Sequence, residues 1–290
     1  MKRQRIKKVV FPVGGLGTRF LPVTKTLPKE MLPVANKPLI QHAFEEAQNA
    51  GIEEFIFVTG RNKNVINNHF DHVYELEQVL SQRSKKTELE LTKSWLPEAG
   101  SIMFIRQQQP LGLGHAIWCA RHAIGSEPFA VILADELLKM RGGFLKEMLS
   151  LYDETGGNIL GLAEVQKHEV SNYGIVDMLD RGKHCEIRGM VEKPSVKGAP
   201  SNLMIAGRYV LDHAIFDVLA NTQKGKGGEI QLTDAMETML LSHKFYGKIF
   251  QGARFDCGNY LGYLDANIAH AYDDKDNREQ VAKMLKKYEV

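Results

Sequence analysis

Cysteine is scarce, with three residues in 290. Cys119, Cys185 and Cys257 are odd in number, scattered, and without the paired spacing of a zinc site. A disulfide scaffold is excluded, and a reduced, cytoplasmic protein is expected. A surplus of charge is also lacking. With 37 basic and 35 acidic residues the net charge is +2, so neither nucleic acid nor a membrane surface is an expected partner. No apolar run is long enough to span a bilayer. The basic start, Lys2, Arg3, Arg5, Lys7 and Lys8, has no apolar stretch of signal-peptide length behind it. It is expected to be a solvated arm. Internal repeats, low-complexity segments and flexible linkers are missing too.

What remains is an ordinary globular composition, 43% hydrophobic and 25% charged. Its length allows one large core. Apolar runs at 9–13, 54–59, 102–106 and 129–133 alternate with helical patterns at 39–51, 62–82, 113–124 and 143–154. This alternation predicts an α/β fold with a parallel sheet covered on both sides. After residue 157 the pattern turns to strands at 159–165, 173–178, 184–191 and 203–211. Helices at 212–219 and 231–242 and a short strand to Asp256 follow. One domain over 1–290 is expected. It divides at about 157 and 258 into a first half, a second half and terminal helices.

The chain is organised around residues 9–39. A buried strand ends in Gly14-Gly15-Leu16-Gly17-Thr18-Arg19, and Lys29 follows after a proline-rich loop. Glycines at a strand end let backbone N–H groups approach an anion, and Arg19 and Lys29 add two cations. This is chemistry for a polyphosphate. A dinucleotide fingerprint from Gly15 needs glycine at position 20, which is Phe20. A P-loop needs Gly-Lys-Ser/Thr, which is absent.

In α/β sheets ligands gather beyond the carboxyl ends of strands. Gln107 to Gly112 and Asp135 lie at such ends and can converge on the glycine turn. A carboxylate after so apolar a strand needs a cation or a partner, so Asp135 reads as a magnesium ligand or a helix N-cap. Asp256 is a second carboxylate, and a helical pattern starting just after it also suits an N-cap. Glu192 and Lys193 end another strand. His115, in a helix's first turn, reads as structural or as a phosphate contact.

Pro28-Lys29-Glu30-Met31-Leu32-Pro33, with Asn36-Lys37-Pro38-Leu39-Ile40, resembles the sugar-1-phosphate nucleotidylyltransferases, most of all the bacterial branch that uses UTP and glucose-1-phosphate. The likeness runs to about Tyr263. It implies a Rossmann-like three-layer α/β/α fold with a mixed, mostly parallel central sheet and a smaller sugar-side β/α lobe. It implies transfer of a uridylyl group to glucose-1-phosphate, giving UDP-glucose and pyrophosphate, with Mg2+ as cofactor. Arg19, Lys29, Asp135 and Lys193 become the catalytic set. Gly14, Gly15, Gly17, Thr18, Glu30, Gln107 and Gly112 become the nucleotide set. Gly174, Glu192 and Lys193 become the sugar-phosphate set, and Asp135 with Asp256 the metal ligands. Leu111 and Ala134 depart from the family pattern, and the role of Glu136 stays open. Gly207-Arg208-Tyr209 and Gly228 to Asp234 are read as shaping the sugar lobe. The resemblance also implies a homotetramer or homodimer built on the later helices. The rival readings are another nucleotide such as dTTP, a sugar-nucleotide-binding regulator without catalysis, and a nicotinamide-dependent oxidoreductase.

Overall fold

The strand Lys8–Val13 buries Val9, Val10, Phe11 and Val13 completely, because both of its faces are covered. A computed structural model describes residues 4–179 and 185–288. Lys2, Arg3 and His184, which entered the sequence reading, lie outside the described residues. Among the described residues nine strands share one sheet. Their order is Ile102–Arg106, Glu54–Thr59, Lys8–Val13, Phe129–Ile132, Leu203–Leu211, Asn158–Glu164, Phe245–Ile249, Cys185–Glu192 and Gly174–Met178. The first four run parallel. Leu203–Leu211 is antiparallel to both neighbours, and of the strands beyond it only Asn158–Glu164 and Phe245–Ile249 pair in parallel. The mixed α/β/α architecture is the expected one, with its parallel portion concentrated in the first half.

The strand period of two sends alternate residues to two cores. Val9, Phe11 and Phe57 face helices Leu39–Asn49 and Phe144–Thr155. Val10, Ile56 and Val131 face helices Leu113–Cys119, Ile215–Asn221 and Leu232–Met239. Three elements differ from the sequence reading. Phe245–Ile249 is a sheet strand that was not anticipated. Glu136–Lys139 pairs with Ala253–Asp256 as a small antiparallel ribbon. The charged segment after Ser81 contains the helix Lys86–Lys93.

Two capping alternatives are resolved. A strand, not a helix, follows Asp135. The last long helix, Tyr260–Asp273, is capped by Asn259, whose side chain accepts the Gly262 N–H at 2.9 Å. Neither Asp135 nor Asp256 is therefore an N-cap. Asp212 accepts the Ala214 N–H at 2.8 Å and shapes the turn before Ile215–Asn221.

Arg208 does more than shape the second half. It is 1% exposed, and its guanidinium reaches Glu46 Oε2 at 2.8 and 3.0 Å and the Leu133 carbonyl at 3.1 Å. It shares the strand face of Val210, which packs toward helix Leu39–Asn49, opposite Ile205 and Tyr209. Removing one partner of a buried ion pair leaves the other charge unpaid. Arg208→Ala should lose about 3–5 kcal/mol of stability in urea unfolding. The loss should shrink when Glu46→Gln is added, and a loss unaffected by Glu46→Gln would deny the pairing its role.

Candidate active site

Three strand ends meet at the glycine turn. Gly14 follows the strand Lys8–Val13, Gly60 follows Glu54–Thr59 and Gln107 follows Ile102–Arg106. A Cβ on Gly14 would lie 2.6 Å from Gln107 Oε1, and one on Gly60 would lie 2.8 Å from the Gly14 carbonyl oxygen. Gly60 needs glycine for that backbone approach, whereas a side chain at Gly14 would displace the Gln107 amide. Gly17 sits at φ 65°, and its carbonyl accepts the Thr24 hydroxyl at 2.7 Å. Gly15, Thr18 and Arg19 stay exposed on the turn.

Lys29 comes back beneath this turn from the short helix Lys29–Met31. Its Nζ donates to Asp135 Oδ2 at 2.5 Å. Burial works against both charges, but each supports the other. The Lys29 pKa is raised because Asp135 and Glu30 outweigh its burial. Asp135 is held below the usual carboxylate range because Lys29 outweighs its burial. Glu30 points elsewhere. It is 2% exposed, and its Oε2 accepts Lys63 Nζ at 2.7 Å. The structure thus gives Glu30 a partner in the loop after Glu54–Thr59, where it fixes the segment that carries Lys29.

Gly258 marks where the carboxylates converge. A Cβ there would lie 2.9 Å from Asp256 Oδ1, 3.1 Å from Asp135 Oδ2 and 3.6 Å from Arg19 Nη1. The cradle is held from behind by Cys257, whose N–H donates to the Asp135 carbonyl at 2.8 Å. Glu136 does not join it. Arg254 grips Glu136 with two hydrogen bonds of 2.8 and 2.9 Å. Burial, with Asp256 and Asp135 close by, pushes the Glu136 carboxyl up to about 7, and Arg254 opposes that rise.

The second cluster lies across from the first. Glu192 Oε1 pairs with Lys193 Nζ at 2.8 Å, and its Oε2 accepts the Thr233 hydroxyl at 2.7 Å. Lys193 stands at φ 45°, a region that disfavours side chains, and its N–H donates to the Tyr173 carbonyl at 2.9 Å. A Cβ on Gly174 would come within 2.9 Å of Thr233 Oγ1 and 3.2 Å of Glu192 Oε2. Tyr173 joins the clusters. Its hydroxyl donates to Asp256 Oδ2 at 2.9 Å, and the Arg254 guanidinium lies 4.8 Å from its ring centroid. The arrangement offers an anion two carboxylates for a shared cation, flanked by lysines and an arginine.

The family profile described as "Nucleotidyl transferase" matches residues 8–272. The chain belongs to the nucleotidyl transferase family. It is 44% identical over 288 residues to UTP–glucose-1-phosphate uridylyltransferase 2 of Staphylococcus saprophyticus, which covers 99% of each chain. Among solved structures it is similar to UTP-bound UGPase from Acinetobacter baumannii, with 40% identity and a TM-score of 0.90 over 98% of this chain and 100% of that one. It is also similar to a UDP-glucose pyrophosphorylase complexed with UDP-glucose, at 44% identity and TM-score 0.84, covering 91% and 98%.

In this nucleotidyltransferase several site neighbours escaped the sequence reading. Lys63, Thr233 and the Tyr173 hydroxyl each hold a predicted site residue, Glu30, Glu192 and Asp256, and Arg254 holds Glu136, whose role the sequence leaves open. Of these, Thr233 lies in the stretch read as shaping the sugar lobe, and Tyr173 precedes the predicted Gly174. His115 is placed beside a predicted nucleotide-site residue. Its ring contacts Gln107, and burial with the nearby Arg121 charge lowers its pKa. Among the described residues no helix is long and apolar enough to cross a membrane.

Proposed function

We propose that this chain transfers a uridylyl group from UTP to glucose-1-phosphate, releasing pyrophosphate and UDP-glucose. The observation that carries the reading is the cradle at Gly258, where Asp135, Asp256 and Arg19 face one point beside Lys29. The glucose-1-phosphate oxygen is already an anion, so attack on the α-phosphorus needs alignment and charge neutralisation rather than a general base.

The donor set fits magnesium. Among the described residues no three His, Cys, Asp or Glu side chains surround one point. Two carboxylates with space for phosphate oxygens and water are what magnesium takes. Bound by Asp135 and Asp256, the ion would neutralise phosphate charge and polarise the phosphorus–oxygen bonds. Arg19 and the backbone from Gly14 to Thr18 hold the triphosphate. Lys29, once turned from Asp135 toward phosphate, meets the charge that grows on the transferring group. Glu192 accepts hydrogen bonds from sugar hydroxyls against Gly174, and Lys193 anchors the sugar phosphate. Gln107 and the backbone at Gly112 read the uracil edge. Glu30 contributes through its neighbours by holding the Lys29 segment.

The family supports UTP over the other nucleotides through its named relatives, and the catalytic cations weigh against a non-catalytic regulator. Pyrophosphate release with UTP, dTTP, CTP, GTP and ATP against several sugar phosphates tests the reading. UTP with glucose-1-phosphate should be the best pair by a wide margin, and a better pair of another kind would replace it. Lys193→Ala should weaken glucose-1-phosphate binding roughly 10–100-fold, the scale of one charge-assisted hydrogen bond, with little change for UTP. Equal weakening of both would remove Lys193 from the sugar side.

A further inference from the structure

The Gln107 side-chain amide is held from two sides. Its Nε2 lies 3.1 Å from the Gly112 carbonyl oxygen and 3.1 Å from His115 Nδ1. An amide nitrogen has two hydrogens and no lone pair to offer, so Nδ1 accepts the second hydrogen. Both hydrogens are then engaged. No hydrogen bond reaches Oε1 among the described residues, and that oxygen stands 2.6 Å from where a Gly14 Cβ would lie. The amide therefore presents its oxygen to the glycine turn.

The two partners are themselves fixed. Gly112 sits at φ 104°, and a Cβ on it would lie 2.7 Å from Glu229 Cβ. Its loop is pinned by Ile230, whose N–H donates to the Leu111 carbonyl at 2.7 Å and whose carbonyl accepts the Gly114 N–H at 2.9 Å. The His115 ring stacks near Trp118, with Cys119 Sγ 3.9 Å from Nδ1. Burial and the Arg121 charge lower the His115 pKa, which favours the ring form with a lone pair, and the amide hydrogen facing Nδ1 selects the tautomer that has it there.

We propose that His115 is the specificity-determining positioning residue, fixing the Gln107 amide oxygen-first so that the site accepts a pyrimidine with a ring N–H and rejects one without. The inference rests on the nucleotide reading of the Gly14–Gln107 region. Uracil offers N3–H to Oε1. Cytosine offers a bare N3, and two lone pairs then face each other. With the His115 lone pair gone, only the Gly112 carbonyl holds the amide, so the rotation that brings Nε2 forward to meet cytosine gives up one hydrogen bond instead of two. A merely structural histidine would alter rate or stability without altering that choice.

The test is kcat/KM for UTP and for CTP with glucose-1-phosphate, measured on wild type, His115→Leu and His115→Asn. Asn supplies Oδ1 as an acceptor near the place of Nδ1. His115→Leu should narrow the UTP:CTP ratio roughly 10–100-fold, as one hydrogen bond replaces a lone-pair clash. His115→Asn should keep the ratio within a few-fold of wild type. An unchanged ratio in His115→Leu overturns the proposal. If His115→Leu fails to fold, the native chain still decides. Long-range ¹H–¹⁵N spectra should show the His115 ring, assigned by its loss in His115→Asn, protonated at Nε2 and bare at Nδ1. A proton on Nδ1 overturns the lock. A wild-type chain that turns over neither nucleotide refutes the uridylyl reading, while the tautomer measurement reads the amide lock independently.

Discussion

Lys29→Ala should lower turnover by roughly 10²–10³-fold, the scale for deleting one preorganised transition-state charge contact. The ammonium lies 2.5 Å from Asp135 Oδ2 and is about a quarter exposed, so it is desolvated enough for its charge to act at close range. The helix Lys29–Met31 is fixed independently by Glu30 and Lys63, whose pair is almost fully buried. Alanine at 29 therefore removes the charge without releasing the segment. UTP binding should weaken much less than turnover, because a contact that strengthens in the transition state is lost chiefly from kcat. If turnover stays within a few-fold of wild type, Lys29 serves only as a counter-ion to Asp135. If KM alone changes, it serves only ground-state binding.

Asp135→Asn should cost more than roughly 100-fold in turnover at fixed millimolar magnesium, since even outer-shell partners of a metal cost about 10–100-fold in metal affinity. The substitution keeps volume and shape but removes one of the two carboxylates that face the Gly258 cradle. Part of the loss should return as magnesium is raised, which separates a ligand from a residue that only shapes the loop. Asp256→Asn tests the other ligand and also changes the acceptor of the Tyr173 hydroxyl. An unaltered magnesium requirement in Asp135→Asn would leave that side chain nothing but the Lys29 pair.

Most strands were legible because their cores are runs of apolar residues between turn signals. Glu54–Thr59 and Leu203–Leu211 emerge with the limits read from the sequence. Phe245–Ile249 was hidden because Tyr246 and Lys248 interrupt its apolar residues, and Gly247 imitates a turn. Most predicted site residues sit at strand ends, where topology alone brings them together; Lys29, Glu30 and Gly112 lie instead on or before short helices. Their partners were not legible, because pairing depends on chain separations that no local pattern records. Lys29 meets Asp135 across 106 residues, Arg254 meets Glu136 across 118, and Tyr173 meets Asp256 across 83. Glu30 shows the cost of reading a motif without its surroundings. Its neighbour Lys29 faces the cradle, while one residue along a tight turn its own side chain enters the core beside Lys63.

The resting contact between Lys29 and Asp135 has a physical consequence for ligand binding. Each group neutralises the other while no phosphate is present, so neither charge is left unpaired in a partly dry cleft. A phosphate and a cation arriving together offer both groups a new partner. Binding of UTP and of divalent metal should therefore be mutually reinforcing rather than independent.

Anomalous diffraction from crystals grown with manganese and UDP-glucose tests the account most directly. A single manganese peak should lie between the carboxylates of Asp135 and Asp256, with the diphosphate beside Arg19, Lys29 and Lys193 and the sugar against Glu192. A peak elsewhere, or a diphosphate bound away from the Gly14–Arg19 turn, would contradict it.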